Sequence, residues 1–414
     1  MLGRIVLVGS GETSPTMVKL HRALIDASPQ GTRVMLDTPF GFQTNAEDLT
    51  GKIRQYFADS VGVDVAAVEW RRPDAPLADR ERALSLLGKA AWVFAGPGSP
   101  SYALRLWADT PVPEILDEVV RRGGTVVLGS AAAVTAGAYA VPVYEIYKVG
   151  EEPRWLPGLN LLGDLLGLEV AVIPHFDNRE GGRHDTRFCY LGEERLEVLE
   201  AQLPASVGIL GVDEHTAAVF DLDARTATVH GAGSLTVRWR GAIEVVPSGQ
   251  SISLTSLSDL LSGSHRQFTA VPVEEAAAVP ADSAASLIDT VRSLQERFRT
   301  SLEVADADGA LQACLELEDA MHAWSADTLQ SDEMAVARRA LREMIVDLAG
   351  AAREGLADPK DALGPIVTLL LELRGRARLE KDFTTSDFIR DGLAGAAIEV
   401  KDTPDGQVWS LHER

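Results

Sequence analysis

The sequence predicts an α/β protein: a three-layer domain on a mostly parallel sheet, followed by an all-helical bundle. Three observations predict it. Between residues 4 and 246, short apolar runs alternate with segments of helical spacing. Several of the runs end in turns of glycine and serine. From residue 285 onward the spacing is helical almost throughout. Wholly apolar strands separated by helices imply a parallel sheet covered on both faces.

The elements follow in order. Ile5-Val6-Leu7-Val8 forms a strand that runs into Gly9-Ser10-Gly11. Residues 16–27 carry Met17, Leu20 and Leu24 at helical spacing, and residues 32–36 form a second strand. Helices at 45–57 and 79–88 flank a strand at 65–70. A strand at 91–95 ends in Gly96-Pro97-Gly98-Ser99, and helices at 102–108 and 112–122 lead to the strand 125–128. A strand at 169–173, a helix at 191–202 and short strands at 207–210, 217–221 and 226–230 complete a first domain, residues 1–247. Residues 248–284 are polar and small and read as a linker. In residues 285–414, Leu287, Val291, Leu294 and Phe298 share one helix face, and Leu311, Cys314, Leu315, Leu317 and Met321 share another. An amphipathic helix at 382–393 turns Phe383, Phe388 and Leu393 inward, and a turn at 403–406 leads to a short strand with Trp409.

At 414 residues the chain is long enough for two or three domains. Its formal charge of -22 argues against a protein that binds nucleic acid by general attraction to the backbone. Cys189 and Cys314 lie far apart, with no CxxC pair, so neither a disulfide framework nor a structural zinc site is expected. The opening residues lack the pattern of a signal peptide, and no apolar run reaches membrane-spanning length. A cytoplasmic location, no membrane partner and no cofactor are the expectations.

Four segments carry chemistry. Thr125-Val126-Val127-Leu128 followed by Gly129-Ser130-Ala131-Ala132-Ala133 reads as a nucleophile elbow, a buried strand turning sharply into a helix. With Gly129 and Ala133 as the small residues flanking the turn, the nucleophile slot falls on Ala131, and Ser130 stands one residue early. That register makes the site degenerate, with Ser130 as the fallback nucleophile. Gly96-Pro97-Gly98-Ser99 either points backbone N–H groups at a developing oxyanion or is a simple tight turn. His175 stands at the end of its strand, where a general base belongs, followed by Asp177, Arg179 and Arg183. Those arginines either clamp a substrate carboxylate or form a solvated loop. Gly211-Val212-Asp213-Glu214-His215 joins two strands and offers a carboxylate to orient His175. The spacing of His175, Asp177, His184 and His215 matches no standard metal site, so no metal is expected.

Residues 93–219 resemble the dipeptidase E and cyanophycinase family of serine peptidases, relatives of the class I glutamine amidotransferases. The resemblance rests on FAGPGSPSYAL, the GSAAA elbow, PHF with its trailing arginines, GVDEHTA and the N-terminal VGSGE. It implies the class I glutamine amidotransferase-like fold over about the first 240 residues. It also implies His175 as base, Glu214 as orienting acid, and oxyanion N–H groups from Gly98 and Ala132, with Ser99 and Ala131 beside them. The family elbow is Gly-x-Ser-Ala-Gly, and this chain departs from it. Residues 373–409 look like the C-terminal segment of cysteinyl-tRNA synthetases, in which KDF, SD, IRD and DTP-G-W recur in this order. The synthetase signatures and cysteine-rich zinc site are absent, so the chain is not expected to activate cysteine.

Two functions follow as expectations. One is a serine-hydrolase-like protein related to peptidases that act on small peptides or amides, with Ser130, His175 and Glu214 as its catalytic set and a degenerate site. The other is a non-catalytic binding protein, with a protein or tRNA partner at its C-terminal bundle. Arg374, Arg376, Arg378 and Lys381 form the one basic cluster there.

Overall fold

The computed structural model describes residues 2–179, 184–263, 271–272, 287–323, 333–354, 359–403 and 406–411. It divides into two compact units, Met1–Leu287 with Ala320–Val336, and Ile288–Asp319 with Ala337–Arg414.

The strands of the first unit are β1 (Arg4–Val8), β2 (Thr32–Leu36), β3 (Ala66–Val68), β4 (Ala90–Ala95), β5 (Thr125–Gly129), β6 (Tyr139–Ala140), β7 (Leu156–Pro157), β8 (Val170–Ile173), β9 (Gly208–Val212), β10 (Thr216–Asp221), β11 (Thr226–Gly231), β12 (Ser234–Trp239), β13 (Ala242–Pro247), β14 (Gln250–Ser253) and β15 (Val271–Pro272). Its helices are α1 (Val18–Asp26), α2 (Ala46–Tyr56), α3 (Leu77–Gly88), α4 (Pro100–Trp107), α5 (Val112–Arg121), α6 (Ser130–Thr135), α7 (Leu161–Leu166), α8 (Gly192–Gln202) and α9 (Leu254–Leu261).

A nine-stranded sheet runs in the order β15-β14-β11-β10-β1-β5-β4-β2-β3. From β1 to β3 every pairing is parallel, and from β1 to β15 every pairing is antiparallel. A six-stranded sheet, β13-β12-β9-β8-β6-β7, is parallel where β8 meets β9 and β6. The fold is α/β on mixed sheets.

Strand residues alternate between faces, and in the parallel half both faces are buried. Ile5, Leu7, Val126, Leu128 and Val93 enter one core with Leu87 of α3, Leu116 of α5 and Ala132 of α6. Val6, Val8, Val127, Trp92 and Phe94 enter the other with Leu24 of α1 and Ile53 of α2. This double burial is why those strands are apolar runs rather than alternating ones. It also leaves the loops after β1, β2, β4, β5, β8 and β9 as the places for polar chemistry, at the carboxyl ends of parallel strands.

The span 248–284, expected as linker, opens with structure instead. Gln250–Ser253 adds β14 to the sheet, and α9 buries Leu254, Leu257, Leu260 and Leu261. Ser253 caps that helix by accepting the Ser256 N–H at 3.0 Å. The serines carried the linker reading, but four leucines at helical spacing outweigh them.

The C-terminal helices are α10 (Leu287–Glu303), α11 (Ala307–Ala323), α12 (Glu333–Glu354), α13 (Pro359–Leu379) and α14 (Phe383–Gly395), followed by the hairpin β16 (Ile398–Thr403) and β17 (Gly406–Leu411). Leu287, Val291, Leu294 and Phe298 are buried on α10 as expected. On α11, Cys314 and Leu317 are buried but Leu311 and Leu315 are exposed. Phe383 and Phe388 of α14 are exposed as well, Phe388 at 80%. The contact face of α14 runs through Ser386, Ile389 and Leu393, three and then four residues apart, and the two phenylalanines lie off that line.

The basic cluster here is partly consumed by the fold. Arg374 is 4% exposed and grips Asp402 of β16 with two nitrogens, at 2.8 and 3.1 Å. Arg378 joins the same carboxylate at 2.8 Å. Arg376 and Lys381 remain exposed. Among the described residues, no helix is long and apolar enough to cross a membrane.

Candidate active site

The turn from β5 into α6 is strained at one residue. Ser130 holds φ at 47°, a left-handed conformation that costs a non-glycine residue on the order of 1–2 kcal/mol. It therefore stands at the sharp point of the turn, and Ala131, where the sequence places the nucleophile slot, is the next helical residue.

The one-residue discrepancy has a physical cause. Gly129 stands one position before Ser130, not two. It is small because a Cβ there would meet the Glu12 carboxyl carbon at 2.8 Å. Glu12, 2% exposed, comes from the loop after β1 and lies against the elbow. Leu128 stands two positions before Ser130, and its side chain enters the core shared with α3 and α5, so its size does no harm.

Three side chains from three loops then meet in line. Ser130 Oγ lies 3.0 Å from His175 Nε2. His175 Nδ1 lies 2.8 Å from Glu214 Oε1. Asn178 Nδ2 donates to the same Glu214 oxygen at 3.0 Å. Ser130 and His175 are 1% and 3% exposed, so these bonds are shielded from water. Burial pushes the Glu214 carboxyl up, but the bonds from His175 and Asn178 and the charge of His175 outweigh it, leaving Glu214 below its ordinary range. It stays ionised and fixes the proton on His175 Nδ1, which leaves Nε2 to accept from Ser130.

The backbone holds His175 as firmly. Its φ is 48°, its N–H donates to the Gly9 carbonyl at 3.3 Å, and its carbonyl accepts from Cys189 at 3.1 Å. The next residues are unusual, because Phe188, Cys189 and Tyr190 all have φ between 56° and 65°. This left-handed turn sets the Tyr190 ring 6.0 Å from the His175 ring.

The loop after β4 carries the residues expected to face an oxyanion. Gly98 has φ of 141°, and a Cβ there would meet the Pro39 carbonyl oxygen at 2.1 Å. The expected oxyanion set is redistributed. Ser99 donates its N–H to Pro39 O at 2.9 Å, and its Oγ accepts from Tyr102 N at 3.2 Å to cap α4. The Ala132 N–H donates to Gly96 O at 3.3 Å. The amide after Ser130 is that of Ala131, in the first turn of α6, where helix N–H groups have no intrahelical acceptor.

Among the remaining expected site residues, Asp177 accepts the Glu214 N–H at 2.7 Å and so ties down the backbone of Glu214. Arg179 is exposed on the loop beyond it. Arg183 lies outside the described residues. The described residues contain no group of three or more His, Cys, Asp or Glu placed to hold a metal ion. Sequence reasoning missed the roles of Glu12 and Asn178. Glu12 stood in plain view in VGSGE, and the only signal for Asn178 was its place three residues after His175.

No family model matches the chain. A solved structure of a peptidase from an acI-B1 Actinobacterium is similar at 22% identity, covering 61% of this chain and 97% of that one, with a TM-score of 0.49. A cysteine–tRNA ligase from Chlorobium luteolum is 35% identical over 121 residues, 28% of this chain and 25% of the ligase. One from Chlorobium chlorochromatii is 42% identical over 94 residues, 20% of each chain. The chain spans a quarter or less of the length of these two ligases.

Proposed function

We propose that the first unit is a serine hydrolase that cleaves peptide or amide bonds in small substrates, with Ser130, His175 and Glu214 as its triad. The observation that carries this reading is Ser130 Oγ at 3.0 Å from His175 Nε2 on a left-handed elbow residue. Ser130 attacks the carbonyl carbon while His175 Nε2 takes the hydroxyl proton. The oxyanion is met by the N–H of Ala131 in the first turn of α6. His175 returns the proton to the departing amine, and water releases the acyl group by the same steps in reverse order of roles. Glu214 keeps His175 in its working tautomer throughout, and Asn178 holds Glu214.

Labelling with a fluorophosphonate tests it. The wild type is expected to label, and Ser130→Ala and His175→Ala are each expected to lose about 10³-fold or more of the rate. A folded wild type that fails to label overturns the reading in favour of a pocket that only binds. For the second unit, the commitment of Arg374 and Arg378 to Asp402 favours a structural role over RNA contact.

A further inference from the structure

The left-handed run beside His175 is used by no step above. Phe188, Cys189 and Tyr190 have φ of 59°, 56° and 65°. Residues with side chains adopt this conformation singly, and bulky ones rarely do so at all. Among the described residues, no other two left-handed residues with side chains are neighbours in the chain. The surroundings hold the run in place. Phe188 donates its N–H to Phe176 O at 3.0 Å, Cys189 to His175 O at 3.1 Å and Tyr190 to Thr186 O at 2.9 Å. The Phe188 ring packs on Phe176 with 4.6 Å between centroids, and the Arg187 guanidinium lies 4.8 Å from the Phe188 centroid. Strain that is so firmly over-determined, and tied to the base itself, points to function.

What the run delivers is the ring of Tyr190. Tyr190 is buried, and its ring meets that of His175 at 6.0 Å and a tilt of 47°. Tyr147 backs it from the far side at 5.3 Å. Tyr147 belongs to the π turn Glu145–Val149, and Ser101 of α4 ties that turn down by donating its hydroxyl to Glu145 Oε1 at 2.5 Å. The bonds to Ser130 and Glu214 hold His175 at its two nitrogens. They fix two points of the ring and leave it free to swing about the line through them. A swing takes the Nε2 lone pair, which lies in the ring plane, off the Ser130 oxygen. A body packed against the ring prevents this.

Resting on the hydrolase reading, we infer that Tyr190 is a positioning residue for the reaction. The left-handed turn presses its ring against His175 and holds the imidazole plane at the angle at which Nε2 takes the Ser130 proton.

The concentration dependence of fluorophosphonate labelling tests it. Tyr190→Leu is expected to lower the limiting rate by about tenfold to a hundredfold, the cost of a small misplacement of a reacting group, with the half-saturating probe concentration unchanged. Tyr190→Phe keeps the ring and is expected to recover most of that loss. Tyr147→Leu removes the backing from a half-buried position and is expected to fall between the two. Thermal unfolding of each variant separates loss of rate from loss of fold. A limiting rate within about twofold of the wild type in folded Tyr190→Leu overturns the inference. So does a loss carried by the half-saturating concentration, or an equal loss in Tyr190→Phe. If Tyr190→Leu does not fold, Tyr147→Leu decides by the same criteria. If the wild type does not label, the hydrolase reading falls, and proton NMR of His175 decides the placement. The Nδ1–H is expected as a downfield resonance, absent in His175→Ala, whose exchange with water rises about tenfold in Tyr190→Leu. An unchanged exchange rate, or no such resonance in the wild type, overturns the inference.

Discussion

Two carboxylates in this chain do the same local job in opposite surroundings. Glu214 accepts from His175 and Asn178, and Asp402 accepts from Arg374, Arg378 and Gln407. Both titrate below the ordinary carboxylate range. For Asp402 the leading cause is the bond from Arg374, in a half-exposed position. For Glu214 the leading effect is burial, which works the other way and is overcome by its donors. The backbones differ too. Around Glu214, Ser130, His175 and His215 all sit at φ near 50°, whereas Asp402 lies on a regular hairpin strand. An ion pair that ties a helix to a hairpin needs only charge and proximity. The pair at His175 adds backbone strain and desolvation, which together hold a single tautomer.

The first way to break this comparison carries the largest effect. Glu214→Gln keeps the shape but can donate to His175 Nδ1, which favours the wrong tautomer. The rate of fluorophosphonate labelling is expected to fall by about 10²–10⁴-fold, and by roughly tenfold in Asn178→Ala, where Glu214 keeps its other contacts. Labelling of Glu214→Gln at the wild-type rate would reduce Glu214 to a structural carboxylate like Asp402.

The α/β order, the parallel strands and the loops that bring Ser130, His175 and Glu214 together were legible in the sequence because apolar runs and glycine turns report burial and strain directly. The register of the elbow was not. Gly129 fits the motif with the slot one residue late, and the reason for its small size, the Glu12 carboxyl beside it, lies 117 positions away in the chain and only packing brings it there. For the same reason the sequence reads Ala132 as an oxyanion donor. Its amide is spent on Gly96, an acceptor that no local pattern reveals. Phe383 and Phe388 show the converse, since apolar residues at helical spacing predict a buried face only when a partner surface meets that face.

A second, smaller test concerns the acid next door. Burial, then the neighbouring charge of Asp177, raises Asp213 to about 6. Its folded pKa therefore lies above its unfolded value, and the folded state holds the extra proton between about pH 4 and 6. Stability from this group rises as pH falls through that window and is absent above it, by at most about 3 kcal/mol. The buried His21, lowered to about 4 by burial, acts in the opposite sense, losing stability as pH falls from 6.5. The comparison is thus between proteins rather than between pH values. Asp213→Asn is expected to gain stability relative to the wild type at pH 7 and to lose that advantage by pH 4. A constant difference across that range in thermal unfolding would mean that Asp213 titrates normally.

The smallest effect sharpens the other side of the comparison. Arg374 is buried but its partner Asp402 is 44% exposed, and Arg378 can hold Asp402 when Arg374 is gone. Arg374→Met should therefore cost only about 1–2 kcal/mol, well short of the loss for breaking a fully buried pair. Hydrogen exchange at the amides of β16 and β17 is the suitable readout, because it reports opening of this hairpin rather than of the whole chain. Arg376→Met, at an exposed position on the same helix, is expected to change that exchange by less than about 0.5 kcal/mol. Equal effects from the two substitutions would make Asp402 a site of general attraction rather than a specific bidentate pair. An Arg374→Met cost of several kcal/mol would show burial counting there as it does at Glu214, and the contrast between the two carboxylates would then rest on backbone strain alone.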